Sequence, residues 1–208
     1  MEPPLRAAGW AGWAEWARWV AVGAVAAFWA LVLVAGLVNP GYLLTRDYIS
    51  ALASRGADQA WLGVGALVLL PVAHLATAVV LRPRARLASY GLALTVVAGL
   101  LVAADRISCP GGAARCGTVP RTQPADWMDA VHGKSVAAYG VMMVLVLVTA
   151  AIELWGQVGL RGLAAASAVL APTSAALLLA SATSDHPGGP QRLWLLVNTG
   201  WLIAAALR

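Results

Sequence analysis

The sequence has 208 residues, of which 61% are hydrophobic and 11% are charged. Soluble domains carry roughly 25% charged residues, and so small a protein has too much surface to hide the difference in a core. The composition therefore excludes an ordinary soluble domain and predicts insertion into a membrane. The net charge of +5 bears on topology and on anionic lipid, because no basic stripe interleaved with aromatic residues indicates a nucleic-acid partner.

The predicted fold class is all-α, a polytopic membrane helix bundle with six transmembrane helices in a single domain, residues 1–208. Several apolar runs approach the roughly 20 residues that cross a bilayer. The predicted spans lie at about 17–38, 61–81, 86–104, 134–153, 161–181 and 191–207. Gly and Ala are frequent throughout, and small residues permit close helix packing in lipid. No cleavable signal peptide is evident, so the first span should act as an uncleaved anchor.

Tryptophans recur every third residue ahead of the first span, at Trp10, Trp13, Trp16 and Trp19. On a helix this spacing drifts around the circumference, so it does not form one tight stripe. It predicts an amphipathic interfacial segment whose indole rings lie at the level of the lipid headgroups.

Six spans place both termini on the same side of the membrane. The two sides carry equal numbers of Lys and Arg, but Arg82, Arg84 and Arg86 crowd a very short turn. The positive-inside rule is most reliable in short turns. We therefore expect a multi-pass protein of the cell membrane with both termini in the cytoplasm and the other three loops outside.

The two cysteines, Cys109 and Cys116, both lie in the second outer loop, within CPGGAARC. A disulfide between them would close a small Gly-rich loop, and it requires an oxidising outer compartment. The alternative is two unpaired thiols. Two Cys alone lack the other ligands of a metal site, and we predict neither a metal nor a cofactor.

The first outer loop contains Arg46 and Asp47 among Leu and Ile side chains. One interpretation is that both residues line a pocket. The other is that Asp47 helps to start a short helix over about 45–55 while Arg46 anchors the loop at a lipid headgroup. The sequence does not favour either interpretation.

The second outer loop leads into span four with Asp126, Asp129 and His132, which are spaced by three and lie close to one helix face. Two carboxylates and an imidazole are suited to binding a divalent metal or to moving protons. The capping interpretation is favoured for the two Asp, because helix dipoles favour acids at the first turn. His132 lies deeper and capping does not account for it.

The third outer loop ends span five with Asp185 and His186, and Arg192 begins span six. A cation at a helix N-terminus opposes the helix dipole. Arg192 is therefore expected beside a carboxylate or phosphate, with Asp47, Asp105 and Asp185 as the candidate carboxylates. Such a network either holds the helices together or takes part in catalysis.

Two polar residues, His74 and Asn198, lie within the spans. Intramembrane polar residues are costly and often functional. His74 is roughly 20 Å below the outer face, so it cannot share a haem with His132. With three His in the chain, a two-haem cytochrome is excluded and a one-haem cytochrome is not favoured. His74 is predicted to form a hydrogen bond between helices.

Three segments resemble a known family: RDYISALAS after the first span, DAVHGKSVAAYGVMMVL in span four, and GGPQRLWLLVNTGWLIAAAL at the end. Through them the chain is similar, from Trp19 to Leu207, to the bacterial and archaeal membrane family called domain of unknown function 998. The resemblance implies a six-span bundle and singles out Ser50, His132 and Arg192. It implies no particular activity. The CPGGAARC segment looks like an addition to the family pattern.

One functional class is a membrane-embedded enzyme that cyclises or isomerises a lipophilic prenyl or polyketide-like substrate by acid–base chemistry. The candidate catalytic residues are the ionisable groups of the outer face: Asp47, Asp105, His132, Asp185, His186 and Arg192. A partly buried Asp holds its proton more tightly and can donate it. The candidate substrate-binding residues are Tyr42, Arg46, Tyr48, Ser50, Trp61, Trp194 and Asn198, and aromatic faces among them could stabilise a developing cation. Hydrolysis through Ser50 and His132 is less favoured, because no nucleophile-elbow motif surrounds Ser50.

The alternative class is non-catalytic: binding of lipid or of a small molecule, transport, or assembly of a partner. No inverted repeat or pair of broken helices indicates a standard secondary transporter. The expected partners are membrane lipids and a lipophilic small molecule. The sequence leaves the oligomeric state open.

Overall fold

A computed structural model of the protein describes residues 4–108 and 127–208, with side chains described from residue 12 onwards. The regular structure in these ranges is helical. It comprises α1 Pro4–Val38, α2 Ala60–Leu81, α3 Arg86–Ala104, α4 Trp127–Trp155, α5 Arg161–Thr183 and α6 Gly188–Ala206. A 3-10 helix, Ile49–Ala53, lies between α1 and α2, and a shorter one, Val158–Leu160, precedes α5.

Membrane insertion is supported by five helices of the described chain that are long and apolar enough to cross a bilayer. These segments are Gly12–Val38, Ala60–Leu81, Arg86–Ala104, Trp127–Trp155 and Val158–Thr183. The sixth predicted span is not confirmed, because α6 is not among them. It begins with Gly188, Gly189, Pro190, Gln191 and Arg192, so its apolar part falls short of the roughly 30 Å of hydrocarbon in a bilayer.

Two helices begin earlier than predicted, at Pro4 instead of about residue 17 and at Trp127 instead of about 134. The predicted interfacial segment before span one is rich in Ala, the strongest helix former, and simply continues α1. In α4, Asp129 lies in the first turn, where a carboxylate is favoured by the helix dipole. The described indole rings of the N-terminal segment are exposed: Trp13, Trp16 and Trp19.

The bundle forms a closed ring in which each helix packs against the next along the chain. The ring closes because α6 also contacts α1 and α2. Its core is apolar, with side chains such as Phe28, Leu92, Met143, Leu147 and Leu202 buried completely. This packing order puts the connections α1–α2, α3–α4 and α5–α6 together at one end of the bundle, and the chain termini at the other.

Glu153, in the last turns of α4, ties the end that carries the chain termini. Its carboxylate accepts hydrogen bonds from the backbone N–H groups of Leu87 (3.0 Å) and Ala88 (2.9 Å). These donors belong to the first turn of α3, which leaves them without partners inside the helix. Gln157 adds a hydrogen bond to the carbonyl oxygen of Arg84 at 2.7 Å. The carboxylate also complements the positive end of the α3 dipole.

Replacing Glu153 with alanine is expected to lower the free energy of unfolding by about 1 kcal/mol, the usual effect of losing a helix cap. The measurement is reversible unfolding of the purified protein in mixed detergent micelles. Glu15→Ala is the matched control, because the ion pair and hydrogen bond of Glu15 in the described chain are to Arg18 and Trp19 of its own helix. Equal losses in the two variants would contradict a cap formed between helices.

Candidate functional site

Loop one, residues 39–59, folds back onto the end of the bundle that we call the loop-one face. The short helix predicted over about 45–55 is present as the 3-10 helix Ile49–Ala53, and every residue of it is buried. Two glycines let its backbone come close. A Cβ on Gly63 of α2 would lie 2.3 Å from the carbonyl carbon of Leu52, and one on Gly188 of α6 would lie 2.5 Å from the carbonyl oxygen of Asp47. Loop one is therefore wedged between α2 and α6.

Arg192 of α6 anchors loop one. One terminal nitrogen donates to the carbonyl oxygens of Asp47 at 2.8 Å and Gly188 at 2.9 Å, and also to that of Leu44. The other donates to the hydroxyl of Tyr42, and the guanidinium carbon lies 5.3 Å from the centre of the Tyr42 ring. The hydrogen bonds of Arg192 in the described chain therefore go to carbonyl and phenol oxygens. Asp47, one of the carboxylates expected beside it, acts on the guanidinium through its charge and not through a hydrogen bond of its side chain.

Tyr42 completes this anchor as a neutral phenol. Burial raises the pKa of its hydroxyl to about 12, against the opposing effect of the nearby Arg192 cation. The hydroxyl accepts from Arg192 and donates to the carbonyl oxygen of Tyr48 at 3.3 Å. Tyr42 thus links the start of loop one to the segment just before the 3-10 helix.

Asp47 stabilises the turn of loop one to which Arg192 is hydrogen-bonded. Its side chain is only 2% exposed, and its two oxygens accept from the backbone N–H of Leu43 at 2.8 Å and from Nε of Arg46 at 3.0 Å. The backbone N–H of Asp47 donates in turn to the carbonyl oxygen of Leu43 at 2.8 Å. These contacts stabilise the loop itself and occupy both carboxylate oxygens.

Asp129 has a comparable role at the α3–α4 connection. Its carboxylate accepts from the backbone N–H of Ser108 at 2.7 Å and from the Ser108 hydroxyl at 2.6 Å. Arg106 holds the same connection against loop one by donating to the carbonyl oxygens of Ala53 (2.7 Å) and Ser54 (2.8 Å). Asp129 lies in the first turn of α4, as the helix-terminus interpretation predicted, but the hydrogen bonds of its carboxylate in the described chain link α4 to Ser108 and do not cap α4's own N–H groups. Asp126, the predicted N-cap, lies outside the described residues.

His132 lies in the second turn of α4 and is 6% exposed. Its Nδ1 is 2.7 Å from the carbonyl oxygen of Asp105. Because a carbonyl can only accept, Nδ1 carries the hydrogen and Nε2 keeps its lone pair. No donor among the described residues reaches Nε2, which is buried. A buried polar group without a partner costs about 1–3 kcal/mol, so a hydrogen-bond donor from a ligand would be favourable here.

A cavity of about 740 Å³ lies beneath loop one, between α2, α3, α4, α5 and α6. Its volume is typical of sites that hold small molecules, which span roughly 300–1,000 Å³. The polar residues of its wall near loop one are Tyr48, Ser50, His132, Ser181 and Gln191. Towards the middle of the bundle the wall is apolar, with Val141, Val144, Leu145, Ala175 and Leu178. None of the described residues that line it is Asp, Glu, Lys or Arg.

Loop one forms the roof of this cavity through two contacts across the bundle. The hydroxyl of Tyr48 donates to the carbonyl oxygen of Ser181 in α5 at 3.1 Å. The side-chain oxygen of Gln191 in α6 accepts from the backbone N–H of Ile49 at 2.7 Å. The roof is therefore fixed to the last two helices as well as to α2.

An aromatic row crosses the inner wall of the cavity. The ring of Tyr139 packs edge-on against His74 at 5.4 Å and against Trp194 at 5.7 Å. Nδ1 of His74 donates to the carbonyl oxygen of Leu70 at 2.5 Å, so its Nε2 accepts from the Tyr139 hydroxyl at 3.2 Å. His74 thus forms the hydrogen bond between helices that was predicted. Within the described chain, the buried indole N–H of Trp194 has no acceptor.

The structure separates the predicted site residues into two groups. The candidates that line the cavity are Tyr48, Ser50, His132 and Trp194. The candidates that belong to the loop-one anchor are Tyr42, Arg46, Asp47 and Arg192. Catalytic roles for the residues of either group stay predictions.

The remaining candidates lie away from the cavity wall. Asp105 faces His132 through its backbone carbonyl. Asp185, His186 and Trp61 are exposed. Asn198 is buried in α6 and donates to Ser174 Oγ at 2.9 Å and to the carbonyl oxygen of Trp194 at 2.7 Å. The predicted disulfide between Cys109 and Cys116 lies outside the described residues.

Sequence reasoning missed three polar residues of the wall, Tyr139, Ser181 and Gln191. A signal existed for two of them. Tyr139 follows His132 by two helical turns and so lies on the same face of α4. Gln191 is an uncharged polar residue at the start of an apolar run, beside Arg192. Ser181 is one of several Ser residues in α5, and nothing in the sequence distinguishes it.

Comparison with known proteins adds a family and no activity. The family described as protein of unknown function (DUF998) matches residues 21–208. No curated protein matches the chain, and no solved structure does. The family match runs from α1 to the end of α6, through loop one and the cavity, and agrees with the resemblance seen in the sequence. The chain therefore belongs to this family of unknown function, and its apolar helices are those of a membrane protein.

Proposed function

We propose that the protein binds a lipophilic small molecule inside its helix bundle, in the cavity beneath loop one. The observation that carries this proposal is the cavity itself: about 740 Å³, mostly apolar, with most of its polar side chains at the end beneath loop one. Interiors of folded proteins are normally close-packed. This cavity opens to the outside of the bundle, so in a bilayer it would be filled by a lipophilic molecule.

The position of the opening supports access from the bilayer. Three apolar residues line the cavity and are also exposed on the outside of the bundle: Val141 (58%), Leu145 (49%) and Leu179 (66%). They lie on the neighbouring helices α4 and α5, within segments apolar enough to span a membrane. In a bilayer these positions face hydrocarbon, so a lipophilic ligand would enter between α4 and α5 without passing through water.

An enzyme that acts on a prenyl or polyketide-like substrate is the second candidate. It is favoured by one observation, the lone pair of His132 Nε2 beside the cavity, since a neutral imidazole can accept a proton. Cyclisation begun by protonation needs an acid, and no carboxyl group lines the cavity in the described chain. Isomerisation begun by proton abstraction is the version that the arrangement favours. Binding requires no such step and is the better supported function.

Filling the cavity tests the proposal. Ala175 and its neighbour Ala176 are both exposed on α5, and of the two only Ala175 lines the cavity. Ala175→Phe is expected to lower binding of a hydrocarbon probe about tenfold, about 1.4 kcal/mol, because the ring takes up space that the probe would occupy. The probe is a long-chain alkyl diazirine, activated by light in nanodiscs and detected as labelled peptides of α4 and α5.

Ala176→Phe is the matched control and is expected to label like the unchanged protein. It adds the same ring to the outer surface of α5, so it reports any general effect on insertion or folding. Equal labelling of all three proteins would show that the probe does not occupy the cavity, and the proposed function would then be rejected.

A further inference from the structure

We infer that the ligand is an uncharged lipid whose hydroxyl-bearing head lies at the loop-one end of the cavity and donates to His132, with a carbonyl or ether oxygen deeper, beside Trp194. This inference rests on the proposed function and specifies its ligand.

The distribution of polar and apolar residues in the wall gives the direction of the ligand along the bundle. The polar wall residues lie beneath loop one, and the apolar ones reach Leu145 in the middle of α4. From His132 to Leu145 the helix rises about 20 Å, comparable to the depth of one leaflet of a bilayer whose hydrocarbon is roughly 30 Å thick. A lipid would therefore lie along the helices with its head under loop one and its chain at the opening between α4 and α5.

The absence of charged residues from the described wall bears on the charge of the ligand's head. A phosphate or carboxylate taken out of water needs a cation beside it. No Lys or Arg is among the described residues that line the cavity. Arg192 is near the roof but does not line the cavity among the described residues. Its two terminal nitrogens donate to Leu44, Asp47, Gly188 and Tyr42, and its Nε is buried without a partner in the described chain. An uncharged head is the one that this wall can accommodate.

Two wall residues, His132 and Trp194, indicate the pattern of hydrogen-bond donors and acceptors on the ligand. Nε2 of His132 can only accept, because Nδ1 holds the ring hydrogen against the Asp105 carbonyl oxygen. The indole N–H of Trp194 can only donate. Neither atom has a partner within the described chain, and both are buried behind the cavity surface, so a small turn of each side chain must accompany the hydrogen bond to the ligand. Trp194 packs on Tyr139, and Tyr139 lies two helical turns further along α4 from loop one than His132. The ligand should therefore carry a hydroxyl donor at its loop-one end and an oxygen acceptor closer to its chain.

Monoolein has this order of groups, with hydroxyls at the end and an ester carbonyl next to the chain. Displacement of the alkyl diazirine by monoolein is therefore expected at about tenfold lower concentration than displacement by methyl oleate, which lacks a donor. Oleoyl lysophosphatidic acid, with the same chain and a charged head, is expected to be the weakest competitor. Monoolein and the phosphate lipid competing equally would overturn the inference about charge.

His132→Asn tests the role of the imidazole, because its amide can keep the donor to the Asp105 carbonyl oxygen while Nε2 is lost. The affinity for monoolein is expected to fall about tenfold, and that for methyl oleate to stay unchanged. His186→Asn, on the exposed α5–α6 connection, is the matched control. If His132→Asn does not fold, Trp194→Phe serves instead: monoolein should weaken while oleyl alcohol, which has no carbonyl, should not.

The failures are distinguishable. Cavity labelling that responds to Ala175→Phe, with no preference among competitors and no effect of His132→Asn, would reject the assigned head and leave the proposed function intact. Labelling that ignores Ala175→Phe would reject both.

Discussion

Replacing Gly63 with alanine is expected to lift loop one off the bundle and to lower the free energy of unfolding by about 3 kcal/mol, near the upper end of typical overpacking costs. The added Cβ would lie 2.3 Å from both the carbonyl carbon and the carbonyl oxygen of Leu52, and 2.5 Å from the nitrogen of Ala53. These are backbone atoms, so no side-chain rotation relieves the contact. Leu52 and Ala53 belong to a fully buried 3-10 helix, which must therefore move as a unit.

The same displacement should remove ligand binding, because Tyr48, Ile49 and Ser50 form part of the cavity wall. Reversible unfolding in mixed micelles and labelling by the alkyl diazirine measure the two effects. Gly65→Ala is the matched control on the same helix, since its Cβ would meet only a methyl group of Leu31 at 3.4 Å. Similar stability of the two variants would show that loop one does not pack against α2 as closely as described.

The spans were predictable because a transmembrane helix requires a long run of apolar residues, which is visible in the sequence. Long apolar runs gave five helices close to the expected positions, and only the beginnings of α1 and α4 were placed too late. Loop one was less predictable. Its packing depends on Gly63 and Gly188, residues far from it in sequence, whose lack of a side chain matters only once the backbones meet.

The candidate site was predictable for His132 and not for the acidic residues. An imidazole that capping does not explain stood out in the sequence, and the structure places it at the cavity. Asp47 and Asp129 were equally visible, but their oxygens accept from nearby backbone N–H groups of Leu43 and Ser108. Sequence alone does not show which carboxylates are taken up in this way. The cavity itself is a gap between helices, and no local pattern of residues reports a gap.

Replacing Arg192 with methionine is expected to lower the free energy of unfolding by about 4 kcal/mol, the larger of the two main effects. The guanidinium serves three carbonyl oxygens and one phenol. The contact with Leu44 is exposed and the other three are part-buried, so each acceptor left without a donor costs near the lower end of the roughly 1–3 kcal/mol of a buried one. Arg192→Lys should fall between methionine and the native residue, because an ammonium group carries the charge but cannot reproduce the planar fork of donors.

Measuring the affinity of the folded fraction for monoolein distinguishes two roles of Arg192: an anchor of loop one, or a group that binds the ligand or takes part in catalysis. Arg192 does not line the cavity among the described residues, so Arg192→Lys, corrected for its folded fraction, should bind monoolein as tightly as the native protein. Arg208→Met, at the exposed C-terminus, controls for the loss of one positive charge. A stable Arg192→Lys variant that no longer binds monoolein would instead place this residue in the ligand site. It would then favour the interpretation in which the Asp–Arg network takes part in catalysis.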